Sequence, residues 1–468
     1  MQAVDYFIVV CYLVVLLWLG LKSRRRGNSG RTAVDFILDG RRLTLPAFVA
    51  TLVSTWYGGI LGVGEYTFLY GVSNWLVFGV PYYAAALIFA FFLSKKAREK
   101  KLITIPEQLA KVYDNKTSVA GAVILFMMTV PAAYVLMLGL IGSEFFGWPL
   151  WGGVVAGTAF SLVYVYLGAF RSVVITDIFQ FVLMFLGFIS LLIVLILQYG
   201  GFNFLVANLP ETHLTWHGGN SGWYIASWYV LALTTLIEPS FYQRCYAAKT
   251  PNVAFKGILI SVVCWIGFDF LTTVCGLYAR AILPELDNAA ASFPALALKT
   301  LPAGLVGLFA VALLSTVMST VDSFSFLAAS TFGYDIVSKV KKLSDSDLIY
   351  YSRVGLIISA VLSIGWALFF ESVVDIWRLF GSIGAPALLV PVFSSFVGKR
   401  RLPSKLAFVS IIGSAGLSFF WYLSKYINDS GSFWLGVEPI FPGLSLSIII
   451  FIIFAKRDSN SRLSEQTS

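Results

Sequence analysis

The chain has 468 residues, of which 58% are hydrophobic and 12% are charged, and its formal net charge is +9. Soluble globular proteins carry about 25% charged residues, so this composition excludes an ordinary soluble protein of two or three domains. The positive charge does not indicate a nucleic-acid partner, because most Lys and Arg residues lie in short loops between apolar runs. These runs are long enough to cross a bilayer, and they predict an all-α integral membrane protein.

Thirteen membrane spans are predicted along the chain. The second and the ninth exceed one bilayer thickness, so both are expected to be bent or broken. We expect one transmembrane domain over residues 1–468, with an extra first helix at 5–21, a core at about 45–396, extra C-terminal helices at about 405–455 and a short cytoplasmic tail at 456–468. In chain order, the predicted spans are residues 5–21, 45–70, 74–94, 118–143, 149–169, 172–198, 222–243, 254–280, 302–332, 353–370, 373–396, 405–424 and 438–455.

The basic residues predict the orientation in the membrane. When the N-terminus is placed outside, nearly all Lys and Arg residues fall in loops on the inner side, as the positive-inside rule requires. Arg244 and Lys249 count among these inner-loop residues, whereas Arg280 and Lys299 fall outside and Arg378 lies within a span. We therefore expect a multi-pass protein of the cell (plasma or inner) membrane, with a cytoplasmic C-terminus, no nucleic-acid partner and no obligate protein partner.

The second span contains a glycine-rich segment, VSTWYGGILGVGEY, from Val53. Its four glycines at residues 58–64 weaken a helix, and an unwound segment in lipid persists only where a cavity or an ion satisfies its carbonyls. Pro239 interrupts the seventh span in a matching place, within TTLIEPSFYQR. Two discontinuous helices five spans apart indicate an inverted-repeat transporter with its site near the midplane. Close helix packing through small residues is the alternative explanation of the glycines.

The ninth span carries a ladder of hydroxyl groups. Thr316, Ser319, Thr320 and Ser323 recur at i, i+3, i+4 and i+7, so they share one helical face, and Asp322 is embedded beside them. Hydrogen bonds to the helix's own carbonyls or to a neighbouring helix are the alternative use of such hydroxyls. Hard oxygen ligands of low total charge favour a small monovalent cation.

Other functional classes lack their motifs. The sequence has no Gly-rich phosphate loop followed by Lys and Ser or Thr, so no ATP-driven pump is indicated. It has neither an HExxH motif nor a GxSxG elbow, which counts against an intramembrane hydrolase, and we predict no enzyme activity. A TVGYG-type filter is also missing, which disfavours a potassium-selective pore.

Three motifs give the chain a resemblance to the sodium:solute symporter family. GAFRSVVITDIFQ at residues 168–180 resembles the signature entering core helix five, EPSFYQRCYAAK at 238–249 resembles the segment that closes core helix six, and STVMSTVDS at 315–323 resembles the pattern in core helix eight. They occur in the family's order on the corresponding spans. The resemblance implies the leucine-transporter fold, in which core helices one to five are repeated inversely as six to ten. One extra helix precedes this core, and about two follow it.

The resemblance implies a main sodium site between core helix one, which is the second span, and core helix eight, which is the ninth. Its ligands here are the carbonyls of Ser54 and Tyr57, the carbonyl of Thr316 and the hydroxyls of Ser319 and Thr320. The glycine-rich stretch leaves a one-residue shift open, in which the carbonyls of Val53 and Trp56 replace those of Ser54 and Tyr57. Sodium is therefore expected as the co-transported ion.

Some members of the family hold a second sodium ion between core helices five and eight. Its positions in this chain are Asp177, Ser319, Asp322 and Ser323, all of which carry side-chain oxygens. Ionisable residues inside membrane spans commonly mark ion pathways. Asp177 and Asp322 are therefore also the candidates for a proton relay, if protons rather than sodium drive transport.

The resemblance places solute binding beside the broken helix. The family's sugar-site arrangement of amide and carboxylate is missing, since Ile60 and Leu61 occupy that region, so an amino acid or small carboxylate is favoured over a sugar. Arg378 is a candidate partner for a carboxylate solute, although Asp375, three residues away, is the simpler partner for it. An interfacial belt is the alternative role of each aromatic residue. The candidate solute-contacting residues are Trp56, Tyr57, Gly58, Gly59, Phe78, Tyr82, Trp223 and Trp228.

Together these features predict a sodium-coupled secondary active symporter that imports a small organic solute by alternating access. Sodium is expected to enter from outside and to favour an outward-open state that binds the solute, after which both are released inside. The expected partners are the solute, sodium and the lipid bilayer. A proton-coupled carrier of the same fold, a transporter-like solute sensor and a channel are the alternatives.

Overall fold

The computed structural model describes residues 1–25, 32–370, 372–428 and 431–457. The predicted inner-loop residues Arg26 and Arg31 lie outside these ranges. So does the predicted cytoplasmic tail beyond residue 457, including Arg462.

The described residues form helices almost throughout. In chain order the α-helices are α1 Ala3–Arg25, α2 Ala33–Leu38, α3 Leu45–Trp56, α4 Ile60–Tyr70, α5 Val80–Phe89, α6 Lys95–Glu99, α7 Ile105–Val112, α8 Asn115–Thr129, α9 Ala132–Phe146, α10 Leu150–Tyr199, α11 Phe202–Asn208, α12 Gly222–Leu231, α13 Pro239–Ala247, α14 Pro251–Ile282, α15 Ser292–Thr300, α16 Leu305–Ser330, α17 Ser338–Val340, α18 Asp345–Phe369, α19 Val373–Val397, α20 Ser404–Ile427 and α21 Ile440–Phe454.

Shorter elements join or interrupt these helices. The 3-10 helices are Asp39–Arg41, Tyr57–Gly59, Glu211–Leu214, Ala232–Ile237, Ala289–Ala291 and Trp434–Gly436. The π-helical segments are Trp75–Gly79, Ala90–Ser94 and Thr331–Val337. The two strands, β1 Arg400–Arg401 and β2 Lys456–Arg457, pair antiparallel.

The predicted all-α membrane architecture is confirmed. Within the described ranges, ten helical segments are long and apolar enough to cross a membrane. Two shorter apolar helices, Leu150–Tyr166 and Ile440–Phe454, coincide with the fifth and thirteenth predicted spans. The seventh predicted span is divided between α12, a 3-10 segment and α13. The number of thirteen crossings therefore stays a prediction.

The first discontinuous helix lies where the glycine-rich segment predicts it. α3 ends at Trp56, a 3-10 turn covers Tyr57–Gly59, and α4 begins at Ile60. The turn packs closely on α16 because Gly58 has no side chain: a Cβ atom there would lie 1.9 Å from Thr320 Oγ1. A break in a membrane helix frees backbone carbonyls that need partners. Those carbonyls therefore lie next to the hydroxyl ladder of α16.

The second discontinuous helix has the same plan. α12 ends at Leu231, a 3-10 segment covers Ala232–Ile237, and α13 begins at Pro239. Glu238 has an extended backbone, and its carboxylate accepts a hydrogen bond from the Ser240 N–H at 3.4 Å. Proline is favourable at the first position of a helix because its missing N–H is not needed there. Glu238 therefore occupies the N-cap position of α13, at the break between the two helices.

Two further interruptions have local causes. The predicted fourth span is divided into α8 and α9 at residues 130–131, because Pro131 has no N–H to donate to a helix. In α10, Ala169 has a φ of 63°, which separates the predicted fifth and sixth spans. α8 and α9 are therefore separate helices, and α10 is kinked at Ala169.

α16 lies at the centre of the bundle. Of its most apolar window, 89% is buried, the largest share among the membrane-crossing segments in the described part of the chain. A helix that is apolar on all sides belongs in a core. α16 packs against α1, α9, α10 and α18, so its hydroxyl ladder is enclosed by protein rather than lipid.

The extra first helix is fastened to α16. Asp5 Oδ1 accepts hydrogen bonds from the N–H groups of Gly304 at 2.7 Å and Gly307 at 2.9 Å. A carboxylate at a helix N-terminus satisfies free N–H groups and interacts favourably with the helix dipole. Gln180 Nε2 donates to the Tyr12 hydroxyl at 3.1 Å, which joins α1 to α10. α1, α10 and α16 therefore pack against one another.

Candidate functional site

Backbone oxygens of α3 meet the hydroxyl ladder of α16 at Thr320. Its Oγ1 atom donates to the Thr55 carbonyl at 2.8 Å and lies 3.4 Å from both the Ser54 and the Thr316 carbonyl oxygens. All four residues are fully buried. Around a hard cation bound at about 2.4 Å, neighbouring oxygens of an octahedron lie about 3.4 Å apart. Three carbonyl oxygens therefore surround the Thr320 hydroxyl, two of them at the separation found between neighbouring ligands of such a cation.

The other residues predicted for the main sodium site make different contacts. The Ser319 hydroxyl donates to Asp177 Oδ1 at 2.6 Å. Tyr57 was predicted to contribute its backbone carbonyl, and its phenol hydroxyl donates to Asp269. The alternative carbonyl of Val53 accepts the Tyr57 N–H, as expected at the end of a helix. A hydroxyl that donates keeps its lone pairs, so Ser319 remains able to act as a ligand.

A buried guanidinium occupies the region predicted for a second sodium ion. Arg244 Nη2 donates to Ser323 Oγ at 2.7 Å, Thr55 Oγ1 at 2.9 Å and Thr51 Oγ1 at 3.1 Å. The same nitrogen lies 3.6 Å from Asp177 Oδ2, and neither side chain is exposed to solvent. The interpretation of Arg244 as a loop residue is wrong, because α13 carries it into the core. The protein itself supplies a positive charge where the second ion was predicted.

Asp177 connects four helices at this point. Its Oδ1 atom accepts from Ser319 on α16, and its Oδ2 atom accepts from Thr51 on α3 and pairs with Arg244 on α13. Removing one partner of a buried ion pair is strongly destabilising, because the other charge stays buried and unpaired. The contacts of Asp177 therefore hold α3, α13 and α16 against α10.

Asp322 makes no hydrogen bond to this network among the described residues. Its Oδ2 atom accepts a hydrogen bond from the Tyr164 hydroxyl, and its side chain is fully buried. Its Oδ1 atom has no hydrogen-bond partner within the described residues. The four positions predicted for a second ion are thus divided. Asp177 and Ser323 contact Arg244 and Ser319 donates to Asp177, whereas Asp322 contacts Tyr164.

A cavity of about 200 Å³ lies beside the 3-10 turn between α3 and α4. Its wall is largely aromatic and includes Trp56, Tyr82, Tyr134, Trp265 and Trp377. The Trp56 and Tyr82 rings meet edge to face, with 5.8 Å between their centroids. Small-molecule sites typically combine such apolar walls with a few polar groups. The cavity therefore has the lining of a small-solute site.

Two carboxylates supply the charge of the cavity wall. Glu238 and Asp269 both line it, and each is about nine-tenths buried. Asp269 accepts hydrogen bonds from the phenols of Tyr57 and Tyr83, whereas Glu238 accepts only the backbone N–H of Ser240 among the hydrogen bonds of the described chain. Lys, Arg and His are not represented among the described residues that line it. The cavity is aromatic and acidic.

The predicted solute-contacting residues divide into two groups. Gly58 contacts Thr320 rather than the cavity. Trp223 is 78% exposed, and Trp228 is buried against Phe78 with 4.2 Å between ring centroids. Both tryptophans belong to α12, which precedes the break, so the structure does not bring them to the cavity. The predicted residues that do line it are Trp56, Tyr57, Gly59, Phe78 and Tyr82.

Arg378 has a different partner from either one predicted. Its Nη2 atom forms a salt bridge with Glu438, which comes just before α21. Asp375 lies in the first turn of α19, where its N–H is capped by the Ser372 hydroxyl. Arg378 is not among the cavity-lining residues. It therefore neither pairs with Asp375 nor faces a solute in the cavity.

Several residues of the site were missed from the sequence. Thr55 supplies the carbonyl nearest to Thr320 and also lines the cavity. The burial of Arg244 had a signal, because it stands among aromatic and small residues in FYQRCYA rather than among polar loop residues. Tyr134 and Trp265 reach the cavity from distant helices, and their sequence neighbourhoods gave no signal.

The fold and the site together define a secondary active transporter, with two discontinuous helices, an oxygen cluster at one break and a solute cavity beside it. The model of the Sodium:solute symporter family matches residues 36–413. The chain therefore belongs to the sodium:solute symporter family. It is a multi-pass membrane transporter that couples a small solute to sodium, and sodium is the co-transported ion.

Individual relatives are distant but cover most of the chain. A sodium/pantothenate symporter of Haemophilus influenzae is 25% identical, over 95% of this chain and 94% of its own. Sodium-coupled monocarboxylate transporter 1 of Homo sapiens is 24% identical, over 84% of this chain and 70% of its own. The sodium-dependent multivitamin transporter of Oryctolagus cuniculus is 25% identical, over 95% and 74%.

Among solved structures, the chain is similar to a Na+-coupled sialic acid symporter in a substrate-bound, outward-open state. The TM-score is 0.79 at 16% sequence identity, and the match covers 98% of this chain and 100% of that one. At this identity the likeness shows the fold. The predicted leucine-transporter-type architecture is thereby confirmed.

Proposed function

We propose that the driving sodium ion binds between the broken end of α3 and the hydroxyl ladder of α16. The observation that carries this proposal is the convergence of the Ser54, Thr55 and Thr316 carbonyls on the Thr320 hydroxyl. The proposed ligands are the carbonyls of Ser54 and Thr316 and the hydroxyls of Thr320 and Ser319. Thr55 is a further candidate, and the carbonyl of Tyr57 is retained from the resemblance.

Coupling between sodium and the solute follows because the residues proposed to bind them are adjacent in the sequence. Thr55, Trp56 and Tyr57 line the cavity, and they directly follow the proposed sodium ligand Ser54. An ion that fixes the end of α3 against α16 also fixes the rings that contact the solute. Sodium therefore favours the conformation that binds solute, and a rocking movement then opens the site to the other side.

We also propose that one sodium ion accompanies each solute. The guanidinium of Arg244 lies among Thr51, Thr55, Asp177 and Ser323, which includes two of the positions predicted for a second ion. Two cations in that space would repel each other in surroundings of low dielectric constant. The positive charge of the Arg244 side chain thus takes the place of the second sodium ion.

One sodium ion is sufficient to concentrate a solute. Moving one charge down a potential of 100 mV releases about 2.3 kcal/mol. A tenfold sodium gradient adds about 1.4 kcal/mol. Together these terms support accumulation of a neutral solute by roughly a few hundredfold.

The orientation proposed is an outer N-terminus and a cytoplasmic C-terminus in the cell membrane. Support comes from contacts among loops predicted to share the inner side. Arg41 Nη1 donates to the carbonyls of Leu102 and Tyr246, each at 3.0 Å, and Arg98 Nε donates to the carbonyl of Ala248 at 2.5 Å. The contacts bring together segments that the positive-inside rule assigns to one side, which supports the proposed orientation.

The sodium site is tested with isosteric variants of Thr320. Thr320→Val keeps the shape but loses the hydroxyl, whereas Thr320→Ser keeps the hydroxyl and is the matched control. A hydrogen-bonding partner of a charged group contributes about 1.5–3 kcal/mol. We expect the apparent sodium affinity of Thr320→Val to fall at least about tenfold.

The readout is the sodium-dependent rise of the thermal unfolding midpoint of the purified protein at fixed pH, with potassium replacing sodium. Wild type and Thr320→Ser should respond to sodium in the same concentration range. An unchanged response of Thr320→Val would refute the assigned site. A wild type that responds to pH but not to sodium would favour the proton-coupled alternative.

A further inference from the structure

We propose that the transported solute carries a positively charged ammonium group, which binds between Glu238 and the aromatic wall of the cavity. This inference rests on the proposed function, because it assigns a solute class to the same cavity. It includes amines, quaternary ammonium compounds and zwitterions such as amino acids. It excludes a small carboxylate that has no cationic group, which the sequence had left among the favoured classes.

The first support is the charge of the residues around the cavity. The carboxylate of Asp177 is matched by Arg244, and Asp269 is held by two phenol hydroxyls. Glu238 lines the cavity but has no such direct partner: Arg244 acts on it electrostatically, yet that guanidinium pairs with Asp177. Glu238 belongs to none of the salt bridges of the described residues, and its one hydrogen bond there comes from a backbone N–H. A buried carboxylate without a directly paired counter-charge is costly. A cationic group on the solute would provide that counter-charge.

The second support is the arrangement of rings beside Glu238. Tyr82 and Tyr134 line the same cavity as this carboxylate. Trp56 lies against Tyr82, and Trp377 lies 6.3 Å from Tyr134 between ring centroids. Aromatic faces attract cations, and several rings around one point form the cage that recognises ammonium groups. Glu238 and these rings therefore select for positive charge together.

The third support is an indole donor on the cavity wall. Trp265 lines the cavity and is 2% exposed. Its Nε1–H has no hydrogen-bond partner in the part of the chain that the structure describes. Buried donors are normally paired, so this N–H is available for an oxygen atom of the solute. The solute that fits combines an ammonium group with a hydroxyl or carboxylate oxygen.

The solute class is tested with probes that differ only in charge. Thermal unfolding of the purified protein is measured in saturating sodium with tetramethylammonium, ethanolamine, choline and glycine betaine. The matched probes are the alcohol and the acid in which a tert-butyl group replaces the trimethylammonium group of choline and of glycine betaine. We expect at least one ammonium probe to stabilise the protein in sodium but not in potassium, and its tert-butyl counterpart to have no effect. Equal effects within a pair, or no effect of any ammonium probe, would overturn the proposal.

Variants test whether Glu238 and the aromatic ring of Tyr82 are responsible for the binding of the ammonium probes. Glu238→Gln keeps an acceptor for the Ser240 N–H but removes the charge, and we expect at least about tenfold weaker binding of the active probe. Tyr82→Phe keeps the ring face and should bind nearly as wild type, whereas Tyr82→Leu should bind about 2- to 30-fold more weakly. Arg378→Ala, outside the cavity, is the control. Tyr82→Leu matching Tyr82→Phe would argue against the aromatic cage.

The sodium response without solute separates this proposal from the sodium site. If sodium alone stabilises both Glu238→Gln and the wild type, but no ammonium probe adds to the stability of the wild type, the solute assignment fails while the sodium site stands. Loss of the sodium response in the wild type would instead refute the proposed function itself.

Discussion

Removing the guanidinium of Arg244 should make the protein depend on sodium for its stability. Arg244→Ala leaves the Asp177 carboxylate in a fully buried position with no counter-charge. At the observed 3.6 Å, the lost attraction is about 4–5 kcal/mol at an effective dielectric constant of about 20. Breaking buried ion pairs in proteins costs about 3–5 kcal/mol, which agrees with this value.

Sodium should compensate for much of this loss. The space left by the side chain is lined by the hydroxyls of Thr51, Thr55 and Ser323 and by Asp177, which are hard oxygen ligands. An ion present at 100 times its dissociation constant stabilises the folded state by about 2.7 kcal/mol. We therefore expect Arg244→Ala to unfold at a much lower temperature than wild type in potassium, and to recover a large part of the difference in sodium.

The charge argument has an internal control. The double variant Asp177→Asn/Arg244→Ala removes both charges, so it should be more stable than Arg244→Ala in potassium and should lack the additional sodium response. Arg171→Ala is the control for a surface pair, since its guanidinium is 39% exposed and 4.0 Å from Asp39, and it should cost less than about 1 kcal/mol.

The assay combines thermal unfolding with the sodium dependence of transport. Wild type should show a Hill coefficient near one for sodium, and Arg244→Ala should approach two if it still transports. The reasoning is refuted if Arg244→Ala is as stable as wild type in potassium, if the double variant is no more stable than Arg244→Ala, or if wild type itself requires two sodium ions.

Two further predictions concern packing and pH. Gly58→Ala places a Cβ atom 1.9 Å from Thr320 Oγ1, about 1.5 Å short of ordinary contact, so the sodium affinity measured by thermal unfolding should fall at least about tenfold. Gly267→Ala, where the added Cβ atom meets open space, should behave as wild type. Burial lowers the pKa of His213, whose Nε2 contacts the Phe68 carbonyl at 3.0 Å. The unfolded chain therefore takes up the proton first, and the unfolding midpoint should be highest above about pH 6.5 and fall below it, a dependence that His213→Gln should reduce. A midpoint that rises on acidification, or an unaffected Gly58→Ala, would contradict these arguments.

The features that the sequence predicted well depend on local chemistry. The helix breaks follow from the glycines at residues 58–59 and from Pro239, because these residues weaken or stop a helix wherever it packs. The hydroxyl face of α16 follows from helical periodicity alone, and Thr320 lies on that face at the contact with α3. Local rules fix which face of a helix a residue occupies.

The features that were missed depend on how distant helices cross. Arg244 contacts Thr51 and Thr55, about 190 residues earlier in the chain, so its burial is decided by the packing of α13 on α3. Arg378 pairs with Glu438, 60 residues away, although Asp375 is nearer in sequence. Helical spacing shows which residues are neighbours on one helix but not which helix faces them. Cavity residues such as Tyr134 are missed for the same reason.

The attachment of α1 to α16 has a consequence for how the molecule moves. Because Asp5 caps the start of α16 and Tyr12 bonds to α10, one half of the proposed ion site belongs to a frame of three packed helices, α1, α10 and α16. The other half, at the end of α3, is joined to that frame by side chains that can exchange partners. The end of α3 is then expected to move relative to α16. Removing the chain through Asp5 should weaken the attachment of α1 to α16 and slow transport, even though no residue proposed to contact the ion or the solute has been removed.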